Sequence, residues 1–173
     1  RVRLTVALRS AHVVSQPATP FEWVGTEALA QLAEQHAYMR RTTPTRHFRR
    51  LLHDLRTSLL DGALARSSES TADVVEAAWR AGARFDAWPE MFQEPAWEKA
   101  FASVGTSIDA EATREYGEWD ELPWDNVRSG LSKEFLLDEW WQSRAEVATG
   151  DCRWDGCADC GACYGPVRNK LMN

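Results

Sequence analysis

The sequence predicts an α-rich α/β fold that ends in a small four-cysteine segment. A strand-like stretch opens the chain, and helical patterns recur from residue 26 to about residue 150. All four cysteines lie within the last 22 residues of the chain. At 173 residues the chain is long enough to bury a core without covalent cross-links. We therefore do not expect the cysteines to compensate for a core that is too small.

The opening stretch, RVRLTVALR, alternates apolar and polar side chains with the period of a strand. Pro17 and Pro20 exclude a helix interior and predict a rigid loop after this strand. A helix is then predicted to begin at Thr26 and to close before Pro44. His36 lies on the apolar stripe of that helix, which predicts a packed core histidine.

The segment RHFRRLLHD, which follows, is typical either of a strand or of a helix start. Further helices are predicted near residues 57–65, 70–82, 95–105 and 132–150. The clearest of them has a capping-box-like start at Ser70 and Asp73. Its apolar stripe is predicted to consist of Val75, Ala78 and Trp79.

The net charge of −6 and the pI near 5.3 argue against a general polyanion-binding surface. We therefore expect no nucleic-acid partner, and we expect the basic stretch between residues 40 and 56 to be solvated or to face a protein partner. No apolar run approaches the ~20 residues that span a bilayer, so we also expect no membrane partner. Eight of the nine tryptophans lie at or beyond Trp79, and core packing is the favoured role for them over base stacking.

The cysteines follow the spacing C-x4-C-x2-C-x2-C, as Cys152, Cys157, Cys160 and Cys163. Two disulfides are disfavoured, because no secretory signal accompanies them and a reduced, cytoplasmic location is expected. A structural zinc site usually joins two C-x2-C pairs across a longer insert. The compact run here is closer to iron–sulfur ligation, yet the spacing alone leaves iron–sulfur and zinc both open.

Glycines within and just after this run, Gly156, Gly161 and Gly165, supply the backbone freedom that wrapping a cluster requires. The neighbouring acids, Asp151, Asp155 and Asp159, are expected to form a solvated rim rather than to be ligands. The four histidines are scattered along the sequence, and the pair His53-Asp54 is expected to form a turn with an Asx-type hydrogen bond. No self-sufficient catalytic constellation is present in the residues.

Four segments, in order, resemble a bacterial family of uncharacterised radical S-adenosylmethionine (radical SAM) proteins with an N-terminal cobalamin-binding-like domain. SAHVVSQPATPFEW (10–23) resembles the family's S-x-F-V-P-K-P-H-T-P-F-Q-W. The stretch from LLHDLRTSLL to GARFDAW (51–88) resembles H-D-x-x-x-S-x-L-E-x-x-L-A-R-G followed by G-A-x-F-D-x-W. LPWDNVRSGLSKEFLLDEW (122–140) resembles L-P-W-D-x-I-x-x-G-V-S-K-E-F-L-x-x-E, and GDCRWDGCADCGACYG (150–165) resembles P-D-C-R-x-x-x-C-x-x-C-G-x-C.

The resemblance implies three segments in this chain. Residues 1–54 would be the end of a partial (β/α) radical SAM barrel, and residues 55–149 a helical extension. Residues 150–173 would be a four-cysteine metal-binding tail that holds an auxiliary [4Fe-4S] cluster, for which zinc is the alternative. Gln16 and Ala18 replace the family's lysine and histidine, and the stretch Arg66–Ser70 departs from its R-G-D/E-R-R, so any role of those polar residues is in doubt here.

The superfamily's catalytic cluster is held by C-x3-C-x2-C, which does not occur in this chain. The resemblance therefore implies that the catalytic cluster, S-adenosylmethionine and any cobalamin belong to N-terminal radical SAM and cobalamin-binding-like domains upstream of Arg1. The chain begins inside a strand pattern without a methionine, and we expect it to be a fragment that is inactive alone. The alternative function is a zinc-stapled helical interaction module without a redox role.

Overall fold

The computed structural model describes residues 6–44 and 47–163. They form an α-rich α/β fold with one two-stranded parallel sheet, which confirms the coarse class predicted from the sequence. The elements in chain order are β1 (Val6–Ser10), α1 (Leu29–Thr42), β2 (Phe48–Leu52), α2 (Leu55–Arg66), α3 (Thr71–Arg80), α4 (Glu94–Ser103), α5 (Ile108–Ala112) and α6 (Lys133–Arg144). Among the described helices none is both long and apolar enough to cross a bilayer.

The strands β1 and β2 pair in parallel from Val6 beside Phe48 to Ser10 beside Leu52. The predicted strand is thus confirmed from residue 6 onward, and its first five residues lie outside the described part. The undecided segment RHFRRLLHD contributes β2, so the strand alternative is correct. Because both strands run the same way, their carboxyl ends lie at the same edge of the sheet.

The chain divides into two compact units. The first contains residues 1–15 and 25–114, and the second contains residues 16–24 and 115–173. The three segments predicted at 1–54, 55–149 and 150–173 stay a prediction.

The core of the first unit is aliphatic and aromatic, and it lies among helices α2 to α5. Leu59, Ala63, Phe101 and Ala112 are fully buried in it. The second unit has a smaller core, in which Trp23, Leu122 and Leu136 are buried and several aromatic rings pack around them.

The apolar stripe predicted for helix α3 is correct at Ala78 and wrong at Val75 and Trp79. Val74 and Ala78 are its buried residues, whereas Val75 and Trp79 are exposed. The predicted capping box is also wrong, because Ser70 has helical dihedral angles and its side chain accepts no cap hydrogen bond. The first turn is instead held by Thr71, whose amide and hydroxyl both donate to the carbonyl oxygen of Ser68.

Two helix boundaries differ from those predicted. Helix α1 begins at Leu29 rather than at Thr26, because the Thr26 amide donates to the carbonyl oxygen of Ala112. Helix α6 ends at Arg144 rather than near residue 150, because Glu146 takes a left-handed φ of 55° that stops the helix. The five-residue helix α5 was not predicted.

The tryptophans correct a further expectation. Trp23 and Trp97 are buried, as core packing requires. Five others are exposed, namely Trp79, Trp88, Trp119, Trp141 and Trp154. Core packing is therefore the wrong account for most of the nine.

Candidate metal centre

The four cysteines lie on one loop that follows helix α6 in the second unit. Cys152 and Cys160 are partly buried, and Cys157 and Cys163 are exposed. None of the four forms a disulfide, so the disulfide alternative is not what the structure has. We call residues 151–163 the cysteine loop.

The backbone of the cysteine loop reverses at three left-handed residues. Gly156 has a φ of 95°, Asp159 of 52° and Gly161 of 86°. Glycine adopts such angles without steric cost, and aspartate is among the residues that tolerate them best. Two of the three glycines proposed to supply backbone freedom therefore do so, and Gly165 lies outside the described residues.

One backbone amide of the cysteine loop already contacts a thiol sulfur. The amide of Asp159 donates to Sγ of Cys157 at 3.3 Å. Amide-to-sulfur hydrogen bonds of this kind stabilise a thiolate and tune the metal or cluster that it binds. The loop thus has, before any metal is considered, one of the contacts that a thiolate site uses.

The acids of the loop are engaged in its own turns. The Asp151 carboxylate forms an ion pair with Arg153, and hydrogen bonds from the Arg153 side chain lower the pKa of Asp151 to about 2. The Asp155 carboxylate accepts the amide of Asp151 at 2.9 Å. Asp151 and Asp155 thus have partners within the loop, and the solvated rim of acids stays a prediction.

The cysteine loop is attached to the start of helix α6. The Ser132 amide donates to the carbonyl oxygen of Cys160 at 2.9 Å. The Ser132 hydroxyl meanwhile caps the helix by accepting the amide of Phe135 at 3.1 Å. One residue therefore fixes both the helix start and the middle of the loop.

Gly161 allows this attachment because it has no side chain. A Cβ placed there would lie 3.3 Å from the carbonyl oxygen of Gly130 and 3.3 Å from the amide nitrogen of Ser132. Both atoms belong to the backbone, which cannot swing aside as a flexible side chain can. The close approach and the left-handed φ both favour glycine at this position.

Replacing Gly161 by alanine is expected to loosen the loop from helix α6. The Ser132 amide should lose protection in hydrogen exchange by about tenfold or more, since its acceptor on Cys160 is displaced. Gly156→Ala is the matched control, because Gly156 has the same sign of φ but no atom within 4 Å of an added Cβ. Equal protection of Ser132 in the two variants would contradict the role given to Gly161.

The described structure does not gather three of the thiols around one point. Within residues 6–44 and 47–163, no three cysteine, histidine or acidic side chains are grouped so as to hold a metal ion. The donor chemistry nevertheless fits a soft metal or an iron–sulfur cluster, since four thiols that form no disulfide share a loop of 13 residues. A metal would therefore bind with closure of the loop, as coupled binding and folding requires.

A histidine pair in the first unit was missed from the sequence, where the four histidines looked scattered. Nε2 of His12 lies 3.0 Å from Nε2 of His36. A usable signal was present, because His12 follows β1 and His53 follows β2 directly. Ligand sites of parallel sheets lie beyond the carboxyl ends of the strands.

Comparisons with family models, with curated proteins and with solved structures found no match to this chain.

Proposed function

We propose that the chain is the C-terminal part of a radical SAM enzyme whose cysteine loop binds an auxiliary [4Fe-4S] cluster. The ligands would be Cys152, Cys157, Cys160 and Cys163. The observation that carries this proposal is the cysteine loop itself, with four thiols that form no disulfide, three left-handed residues and an amide hydrogen-bonded to sulfur. The four ordered sequence motifs connect it to the radical SAM family.

The number of thiols limits the chemistry of such a cluster. Four thiolates complete the coordination of a [4Fe-4S] cluster, which then transfers electrons or stabilises the fold. No iron remains open to S-adenosylmethionine, so its cleavage would belong to the upstream cluster. Any cobalamin would likewise be bound by the upstream domains.

The sheet is compatible with the barrel part of the proposal. Strand β1, helix α1 and strand β2 form a parallel strand–helix–strand unit, which is the repeating unit of (β/α) barrels. Two parallel strands are common to many α/β folds, so the barrel rests on the motif resemblance.

Metal analysis of the 173-residue chain, purified and reconstituted without oxygen, tests the proposal. We expect four irons and four sulfides per chain and a broad absorption band at the blue end of the visible spectrum. A colourless protein with one zinc per chain would overturn the cluster and favour the alternative, a zinc-stapled helical module without a redox role.

The reduced cluster should be indifferent to S-adenosylmethionine. Because four thiolates leave no open iron, the electron paramagnetic resonance spectrum is expected to be the same with and without added S-adenosylmethionine. A spectrum that changes on addition would show an open iron and contradict the four-cysteine ligation.

A further inference from the structure

A pocket of about 490 Å³ lies in the first unit, beyond the carboxyl end of β2. Its polar lining consists of His36, Arg40, His53, Asp54 and Arg56. The rest of its lining is apolar and comes from α1, β2, the start of α2 and a proline. The volume and the mixture of an apolar wall with a few convergent polar groups are typical of small-molecule sites.

The buried histidine at this pocket is held by a second histidine. His36 is only 5% exposed, and the 3.0 Å contact with His12 requires one ring to donate and the other to accept. Burial lowers the pKa of both rings, and the charge of His36 lowers that of His12 further. Both rings are therefore uncharged at neutral pH, and the pair can accept a proton when an anion binds.

The orientation of His53 follows from its partners. Its Nδ1 lies 2.9 Å from the hydroxyl oxygen of Ser58, and that hydroxyl donates to the carbonyl oxygen of Asp54. The hydroxyl proton is thus used, so Nδ1 of His53 must be the donor. Nε2 is then the ring atom of His53 that is left for a ligand.

The charges at the pocket favour an anion. The Asp54 carboxylate caps helix α2 by accepting the amide of Thr57 at 2.9 Å, and Arg56 pairs with Glu94 at 2.9 Å. Arg40 lies four residues after His36 on α1, so the two side chains share one face of the helix. Among the described residues no carboxylate lies within ion-pair distance of Arg40.

We propose that this pocket binds a small organic anion, with its carboxylate or phosphate group at Arg40 and His53 and its apolar body against the α1 and α2 walls. All of these residues belong to the first unit, and the proposal does not depend on the function proposed for the cysteine loop. A guanidinium donates to such oxyanions. With Nδ1 of His53 bonded to Ser58, Nε2 donates to the anion as part of an imidazolium.

The binding should strengthen as the pH falls. A bound anion favours protonated histidine, so protons are taken up on binding, and affinity rises as the pH falls through the lowered pKa of His12 and His36. The charged and titratable groups that act on the pair are Glu27 and His53 at His12, and Arg40 and Asp54 at His36. Glu27 and Asp54 oppose the trend slightly, because their charges favour protonation even without the anion.

Titration calorimetry on the 173-residue chain at constant ionic strength, with phenyl phosphate, benzoate and phenol as probes, tests the site. We expect saturable binding of at least one of the two anions, and the stronger of them identifies the head group. Phenol should bind at least about tenfold more weakly, because it has the ring without the charge. The proposal would be overturned if phenol bound with the same affinity as the anions. It would also be overturned if none of the three probes showed saturable binding.

Arg40→Gln and Arg41→Gln form a matched pair of variants. Both remove one positive charge from the last turn of α1, but only Arg40 lines the pocket. We expect Arg40→Gln to weaken binding by about tenfold or more and Arg41→Gln to leave it nearly unchanged. Equal losses would mean diffuse attraction by the arginines and would contradict a defined site.

His53→Gln gives a second reading that does not depend on the arginine charges. Glutamine has no ring nitrogen at the position of Nε2, so this variant should bind the anion more weakly than the parent chain. Proton-detected titration of the remaining histidines should still show His12 and His36 shifting when the probe binds. An unchanged affinity would overturn the contact assigned to His53.

Discussion

The double substitution Cys157→Ser and Cys160→Ser is expected to abolish stoichiometric metal binding by the chain. Structural metal sites built from four ligands gain about 10–16 kcal/mol from their metal, so losing half of the donors removes a large part of that free energy. Hydroxyls do not replace thiolates as ligands of soft metals. Iron and zinc content after anaerobic reconstitution, measured per chain, should fall to the background of the assay.

Asp159→Asn is the matched control for this experiment. Asp159 lies between the two substituted cysteines, is exposed, and has a left-handed φ of 52° that asparagine also tolerates. Its amide, and not its side chain, contacts Sγ of Cys157. The variant should therefore keep the full metal content.

Two outcomes would contradict the cysteine-loop proposal. Full metal content in the double variant would place the metal elsewhere in the chain. If Asp159→Asn lost as much metal as the double variant, the Asp159 carboxylate would have to be a ligand. In both cases far-ultraviolet circular dichroism should first show that helix content is unchanged.

The element types were largely predictable from local pattern, because alternation and helical stripes are recorded in neighbouring residues. Strand β1 and helices α2, α3, α4 and α6 all have such local signals. The boundaries were less predictable. Helix α6 ends before Glu146, which has a left-handed φ. Glutamate is not a residue type that predicts a left-handed φ.

The burial of individual side chains was the property that was least predictable from the sequence. Val74 and Val75 are chemically identical neighbours, and only their place relative to helix α4 and its surroundings decides which is buried. Trp119 and Trp154 are large apolar side chains of the kind that usually pack in a core, yet they are 89% and 81% exposed among the described residues. Choices of this kind depend on tertiary packing and are absent from any local window.

The candidate sites divide in the same way. The cysteine loop was predictable because its donors are close in sequence. Its attachment through Ser132 to Cys160 was not, since 28 residues separate the two partners. His12 and His36 are 24 positions apart in the sequence. The position of His12 after β1 indicates a site near the end of the sheet, but the spacing does not predict that His36 contacts it.

Gly25→Ala is expected to destabilise the first unit more than any other glycine substitution considered. A Cβ at this position would lie 2.2 Å from the carbonyl oxygen of Thr113 and 2.6 Å from its carbonyl carbon. Both atoms are backbone atoms at the end of α5, where they cannot rotate away. The next residue, Thr26, is bonded through its amide to the carbonyl oxygen of Ala112, so the two segments are held at this short distance.

Relief of the clash requires the two segments to separate. Separation would break the bond from Thr26 to Ala112 and would open the contact of α5 with the core, where Ala112 and Ile108 are buried. Overpacking of this kind typically costs about 1–3 kcal/mol, and a clash between backbone atoms belongs at or above the upper end. Urea denaturation followed by circular dichroism should show the corresponding fall in the free energy of unfolding.

Gly105→Ala separates the clash from backbone strain in general. Gly105 has a φ of 81°, so alanine there is strained by about 1–2 kcal/mol, but no atom lies within 4 Å of the added Cβ. Gly25 shows no left-handed φ, so its cost must come from the close approach alone. A free energy of unfolding lowered less by Gly25→Ala than by Gly105→Ala would show that the segment at Gly25 moves freely, and the packing of α5 against it would then be incorrect.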